Sequence, residues 1–180
     1  MQIREAGLKD APGIAKVHVD NWISTYNDVF PAHVFETWTY ENREERWKKS
    51  LPKAVSGGTM TYVAEEEGEI AAFALAGTTR DARLRMRYTG EFYGIYVHPD
   101  FQRQGLGRKL MESCAEHLAS QGHKRAALWV IENNKEQPFF EKMGGEVVYE
   151  APVEIGGNNY KNIAYGWEDV QRLLNHEKLN

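Results

Sequence analysis

Tyr96-Val97-His98-Pro99-Asp100-Phe101-Gln102-Arg103-Gln104-Gly105-Leu106-Gly107-Arg108-Lys109-Leu110 is the stretch on which the reading of this chain turns. The residues leading into it, Glu91 to Val97, are aromatic and β-branched and predict a strand. Beyond it, Leu106, Leu110, Met111, Cys114, Ala115 and Leu118 recur at helical spacing. A short polar and basic loop with two glycines joins the two. A helix start leaves its first backbone N–H groups without partners, all aimed one way. The helix dipole adds roughly half a positive charge there. Gly105 and Gly107 carry no Cβ, so an anion can come close to the backbone. Strand, glycine loop and helix in this order predict a phosphate site.

The spacing excludes two familiar phosphate motifs. A dinucleotide fingerprint needs a third glycine where this chain has Leu110, and a P-loop needs Gly-Lys-Ser/Thr where it has Gly107-Arg108-Lys109-Leu110. What remains is Gln102-x-x-Gly105-x-Gly107 after a strand ending Val97-x-Pro99. This resembles the pyrophosphate-binding signature of the GCN5-related N-acetyltransferase (GNAT) superfamily. A second stretch continues the match. Leu128-Trp129-Val130 reads as a strand, followed by Asn133 and a short helix with Phe139-Phe140-Glu141-Lys142-Met143-Gly144-Gly145. It is similar to the superfamily's Asn-x-x-Ala-x-x-Phe-Tyr-Glu-Lys-x-Gly-Phe. The resemblance covers 91–148 well and the rest by element order.

Composition narrows the class. A length of 180 residues suits a single domain spanning 1–180. The net charge of −4 argues against a nucleic-acid partner, which asks for a basic face. Cys114, the one cysteine, excludes an internal disulfide and lies on an apolar helical stripe, as a small buried hydrophobe does. No apolar run reaches about 18 residues, so no membrane span is expected. Met1 to Ala6 lacks an apolar signal core, so a cytoplasmic protein is expected. The six histidines are scattered without metal-ligand spacing, so no metal is expected. No Gly-x-Ser-x-Gly elbow points to an acyl-enzyme.

From the N-terminus, Met1–Ala6 reads as a strand, and Asp10 as the N-cap of a helix beginning Ala11-Pro12. That helix carries Ile14, Val17, His18, Trp22 and Ile23 on one stripe, with Tyr26 on the same side. Pro31 opens a second helical stretch with Val34, Trp38 and Trp47, ending near Gly57-Gly58. Tyr62–Ala64 and Ile70–Leu75 are strands joined by a charged turn around Gly68. In Thr78–Arg87, Arg83, Arg85 and Arg87 alternate with Leu84 and Met86, the pattern of a strand with one wet face. Its arginines read either as solvated or as a basic wall. Gly122 and Gly144 end the two later helices, and Pro138 belongs in a first helical turn. Glu146–Val153 and Asn159–Trp167 form a hairpin around Gly156-Gly157, and a polar helical tail with frayed last residues closes the chain.

The resemblance implies a mixed, mostly antiparallel central sheet flanked by helices, the α/β (α+β) GNAT fold. In it the signature strand and the strand after the central helix run parallel and splay, and pantetheine slots between them beside a β-bulge. It implies transfer of an acetyl group from acetyl-CoA to a primary amine, on a small molecule, peptide N-terminus or lysine, within a ternary complex. For the cofactor it implies backbone amides of Arg103, Gln104, Gly105, Leu106, Gly107 and Arg108, strand groups of Ile95, Tyr96 and Val97, and Asn133, which reads equally as a helix N-cap. Phe140 stands where the superfamily has a tyrosine that protonates the departing thiolate; its ring reads as packing on pantetheine or as core. Glu91 matches a catalytic glutamate of some members, on the face of Tyr93 and Ile95 unless a bulge shifts the parity. It reads otherwise as an exposed strand-end carboxylate. Glu132 is a second candidate base. Tyr93 or Tyr26 are hydroxyls that replace the missing acid. Trp22 and Tyr26, with Thr25 and Trp38, read as acceptor-binding or as core. Homodimers through the last strands are common in this architecture. The alternative reading is a CoA-binding or sensor module of the same fold without turnover; a third is another acyl or phosphate ligand on the same loop.

Overall fold

The computed structural model describes residues 1–178. Seven strands make one sheet in the order β1-β2-β3-β4-β5-β7-β6. They are β1 (Gln2–Glu5), β2 (Met60–Glu66), β3 (Glu69–Thr78), β4 (Gly90–Val97), β5 (Ala126–Ile131), β6 (Glu146–Ile155) and β7 (Asn158–Trp167). The helices are α1 (Ala11–Tyr26), α2 (Tyr40–Ser56), α3 (Leu106–Ser120) and α4 (Gln137–Lys142). Among the described residues only β4 and β5 pair in parallel, as a helical crossover requires; β2–β3 and β6–β7 are hairpins, and the other pairs are antiparallel as well. This is the mixed, mostly antiparallel sheet that the sequence predicts.

Alternation along β3 sorts the two faces. Ala72, Ala74 and Ala76 face α3, and these small side chains let Leu110, Met111, Cys114 and Leu118 pack close to the sheet. Phe73 faces the other way, into a second cluster with Ile14 and Val17 of α1 and Leu51 of α2. Phe73 is fully buried, and truncating such a ring costs about 3–5 kcal/mol.

Two features of the sheet position the site. β4 and β5 pair only at Gly90↔Ala126 and Glu91↔Ala127, then part. Within β4, Phe92 pairs with Ala76 and Gly94 with Leu75, leaving Tyr93 without a partner on β3. The bulge resets the alternation. Phe92 and Ile95 both pack on the α3 side, so Glu91 no longer shares a face with Ile95.

Four expectations need correction. In Thr78–Arg87 only Thr78 belongs to a strand, as the last residue of β3, and 82–87 is a run of turns. Leu84 is buried while Met86 is 96% exposed, so residues two apart do not share a face. The N–H groups of Arg85 and Tyr88 bond back to Asp81 and Leu84 at i−4 spacing. Asp10 takes the N-cap position of α1, but its carboxylate makes no capping bond to the helix. Its carboxylate accepts from Gly7 N–H (2.7 Å) and from both terminal nitrogens of Arg4 (2.8 Å each), and Arg4 also bonds Glu65. That network ties β1 and β2 to the start of α1. The helical stretch from Pro31 is divided: a 3₁₀ turn covers Ala32–Phe35, and α2 starts afresh where Thr39 Oγ1 accepts from Asn42 N–H. Ile23 is exposed, off the buried stripe. The tail from Val170 is a 3₁₀ segment, and the fraying expected at its end falls on 179–180, outside the described residues.

Candidate active site

The start of α3 is a concentration of free amides. The first backbone bond closing the helix runs from Lys109 N–H to Gly105 C=O at 3.2 Å. Among the described residues, none of the six N–H groups from Arg103 to Arg108 has an acceptor. Arg103 (φ 65°) and Gly105 (φ 80°) turn the chain through left-handed conformations, and Leu106 anchors it in the core. The two glycines do different work. A Cβ on Gly105 would meet nothing within 4 Å, so the left-handed backbone and an open approach both call for glycine there. A Cβ on Gly107 would lie 3.3 Å from the ring of Phe139, so this glycine lets α4 pack on α3. Arg108 is held by Glu112 at 2.8 Å on the helix surface.

Beside this loop lies the gap between β4 and β5. The carbonyl of Val97 accepts from the side chains of Asn21 (2.9 Å) and Gln102 (3.3 Å), so it points away from β3. His98 N–H bonds Ala71 C=O on β3 at 2.9 Å, which fixes the same phase. Strand periodicity then turns the N–H and C=O of Ile95, and the N–H of Val97, into the gap, while the backbone of Tyr96 faces β3. Phe140 is buried in the α3-side core, its ring 5.3 Å from Phe139 and 5.9 Å from Tyr165. Asn133 is exposed and does not cap α4, whose N-cap is Glu136. Asn134 holds that turn instead: its Oδ1 accepts from Glu136 N–H (2.8 Å) and its Nδ2 donates to Tyr26 Oη (3.0 Å). Glu132 is exposed and accepts from Lys161 N–H.

The opposite face of β4 is made of side chains. Glu91 stands at the vertex where β4 leaves β5 and is 3% exposed, which overturns its reading as an exposed strand end. Its Oε2 accepts from Arg80 N–H (2.8 Å) and lies 3.5 Å from Thr79 Oγ1; its Oε1 accepts from the Arg80 guanidinium (2.9 Å). A carboxylate offers about four lone-pair sites, so Oε1 retains one for a proton. The same guanidinium lies 3.9 Å over the ring of Tyr93, whose hydroxyl donates to Thr78 C=O. Tyr96 leans back over Gly94. A Cβ on Gly94 would fall 2.4 Å from Cε2 of that ring and 2.8 Å from its hydroxyl, so glycine is what brings the hydroxyl to the bulge. Burial raises the Tyr96 pKa, against the pull of Arg80 and Arg43, so the phenol keeps its proton at neutral pH.

Around Tyr96 runs an aromatic wall. His18 touches Tyr96 (4.6 Å between ring centroids), Trp38 (4.9 Å), Phe73 (5.6 Å) and Trp47 (5.7 Å). Trp47 Nε1–H donates to His18 Nδ1, which places the histidine's proton on Nε2. Burial, aided by the nearby Arg43 charge, lowers the His18 pKa to about 3, so the ring is neutral. Trp22 stacks on Trp38 at 3.9 Å, and Tyr26 stacks on Phe30 at 4.8 Å. Tyr26 is buried, with its pKa raised to about 12 by that burial. Tyr160 of β7 meets Phe30 and donates to Val29 C=O, so the last hairpin closes against the α1–α2 connection. Among the described residues no group of three or more metal-ligating side chains occurs, and no helix is long and apolar enough to cross a membrane.

The Acetyltransferase (GNAT) family matches residues 19–145, from the middle of α1 through α4. The chain belongs to this family. An N-acetyltransferase of Bacillus subtilis strain 168, YuaI, is 37% identical over 172 residues, covering 95% of each chain. Among solved structures, an N-acetyltransferase from Staphylococcus aureus Mu50 shares the fold with a TM-score of 0.73 at 17% identity, over 94% of this chain and 98% of that one. The Salmonella typhimurium protein yncA, solved with its cofactor acetyl-CoA, does so with a TM-score of 0.69 at 23% identity, over 93% and 92%. This GNAT chain is an N-acetyltransferase, and the residues its sequence did not flag are those whose roles depend on folding. Arg80 lies just before turns that the arginine alternation disguised as a strand. Arg43 sits on a helix read only for its tryptophans. The side chain of Tyr96 hid behind a role given to its backbone, although Gly94 two residues earlier was a signal for close approach.

Proposed function

We propose that this enzyme transfers the acetyl group of acetyl-CoA to a primary amine with both substrates bound at once. The reading is carried by one juxtaposition: six free amides at the start of α3 open onto a strand gap whose vertex holds a buried carboxylate. Acetyl-CoA supplies a thioester, and the relative yncA, solved with acetyl-CoA, supports that choice. The amides of Arg103 to Arg108 hold its diphosphate, and the gap-facing groups of Ile95 and Val97 pair with the pantetheine arm. A strand N–H in this gap, with Ile95 the best placed, donates to the thioester oxygen as negative charge gathers there. Such a donor is worth roughly 3–4 kcal/mol.

The amine approaches from the face of α1 and α2. A lysine-like amine, pKa about 10.4, loses roughly 4–5 kcal/mol to deprotonation at pH 7, whereas an α-amino group, pKa about 8, loses only about 1. Glu91 takes that proton through the open lone pair of Oε1. Phe140 supplies no acid. Tyr93 donates its proton to Thr78 C=O, and Tyr26, an acceptor for Asn134, is buried against Phe30, so the role passes to the Tyr96 hydroxyl, which stands at the bulge and has no partner among the described side chains. A thiolate leaves well with modest help, since a thiol has a pKa of about 8.5. The test is release of CoA thiol with amino acids, polyamines and peptides as acceptors, with products identified by mass spectrometry. Faster release than in buffer, with an N-acetylated product, is expected. Tight acetyl-CoA binding without any acetylated product would instead make the protein a CoA-binding module.

A further inference from the structure

Arg43 is a cation without a counterpart. Its guanidinium lies 3.6 Å over the ring of Trp38, and its Nε is buried with no hydrogen-bond partner. It has no carboxylate within ion-pair distance among the described residues, and the acids beside it on α2, Glu44 and Glu45, are engaged by Lys48. His18 is held neutral, so nothing there balances the charge. Arg80, on the same side of β4, is already matched by Glu91. A desolvated Nε left unpaired is costly, and the terminal nitrogens of this half-buried side chain are left open to a ligand. The charge also points away from the cofactor loop: it lies on the α1–α2 side of the sheet, whereas the free amides lead α3 on the other side.

We infer that Arg43 is the acceptor subsite for a carboxylate, and that the acceptor is a small amine carrying one, an amino acid rather than a polyamine or a lysine within a protein. The inference rests on the acetyl-transfer reading above. The planar guanidinium fork matches a carboxylate bidentately. Arg46, the neighbouring cation on α2, is exposed, which leaves the half-buried Arg43 guanidinium to take a single carboxylate. The Tyr96 hydroxyl feels the charge of both Arg43 and Arg80, and Arg80 holds Glu91, so Arg43 stands on the same side of β4 as the buried carboxylate. The rings of Trp38, Trp22 and His18 would flank the acceptor's apolar part.

The experiment compares L-amino acids with their carboxamides and decarboxylated amines in the thiol-release assay. The free acid is expected to have the highest kcat/KM of each trio, by roughly 10- to 100-fold. Arg43→Gln should cost the free acid that advantage through KM, and Arg43→Lys should restore part of it, with acetyl-CoA affinity reporting that each variant is folded. A second readout needs no turnover. N-acetyl amino acids, but not their amides, should change the fluorescence of the wild-type protein, because Trp38 lies beneath Arg43. Equal turnover within trios, or a loss in Arg43→Gln shared by all three members, overturns the subsite, as does an equal fluorescence response to acid and amide. If no amine is acetylated at all, the acetyl-transfer reading fails, and the titration alone decides whether Arg43 binds carboxylates.

Discussion

The two faces of β4 are built from different materials. Toward α3 the site is backbone: amides of a helix start, strand groups turned into a gap, and a glycine, Gly105, that keeps the approach open. Toward α1 and α2 it is side chains: a buried carboxylate held by Arg80, a tyrosine folded over Gly94, and an aromatic wall with an unmatched arginine. A backbone site tolerates sequence change wherever the chain path survives. A side-chain site is specific to each residue. The first face therefore suits the cofactor that the family has in common, and the second suits an acceptor that differs from member to member.

The contrast breaks most easily at Glu91. Glu91→Gln should lower kcat/KM for a lysine-like amine by about 10²–10⁴-fold, and less for an α-amino group, which needs the base less. Titration calorimetry should find acetyl-CoA still bound. A drop in cofactor affinity with unchanged turnover would reverse the assignment of the two faces.

His18 sharpens the comparison through pH. Folded, it stays neutral down to about pH 3, whereas an unfolded histidine takes up a proton near pH 6.5. Between those values the unfolded chain binds more protons, so stability is full above about 6.5 and declines as pH falls. At pH 5 the loss is roughly 2 kcal/mol. Asp10 acts in a different window. Its hydrogen bonds to Arg4 lower its pKa, so its contribution is present at pH 5 and fades below about 4. Urea unfolding of His18→Phe at pH 7 and pH 5 should therefore show a smaller difference than the wild type. An unchanged difference would mean that the wall does not keep the ring neutral.

Arg108 gives the smallest effect. Its guanidinium is already engaged by Glu112 on an exposed helix surface, and such pairs are worth about 0–1 kcal/mol. Arg108→Ala should weaken acetyl-CoA binding by less than about fivefold. A loss of a hundredfold would show that side-chain charge, not backbone, grips the phosphates.

The same contrast explains what could be read from the chain. Gly105, Gly107 and the helical stripe from Leu106 announce a local device, and local devices are written in consecutive residues. The splay of β4 and β5 followed from the resemblance. The resemblance pointed to Glu91, but not to its burial, because the partner that holds it, Arg80, lies just before turns whose alternation mimics a strand. Asp10 stands at the cap position the sequence predicts, but Arg4, fixed with Glu65 by strand pairing, draws its carboxylate away from the helix amides. The Tyr93 bulge is set by the register of β3 against β4, which no single stretch encodes, and it moves Ile95 to the other face from Glu91. Arg43 acts on Tyr96 only because α2 packs on α1, which in turn packs on β4. Each of these depends on segments far apart in sequence.

The central claim is that the bare amides of residues 103–108 bind the cofactor, and Gly105→Val tests it most directly. A Cβ there meets no protein atom, so the substitution acts on the left-handed turn and the open approach rather than on core packing. Isothermal titration calorimetry with acetyl-CoA should show affinity falling by roughly 100-fold or more, equivalent to losing one or two charge-assisted hydrogen bonds. Unchanged affinity in a folded Gly105→Val protein would contradict it.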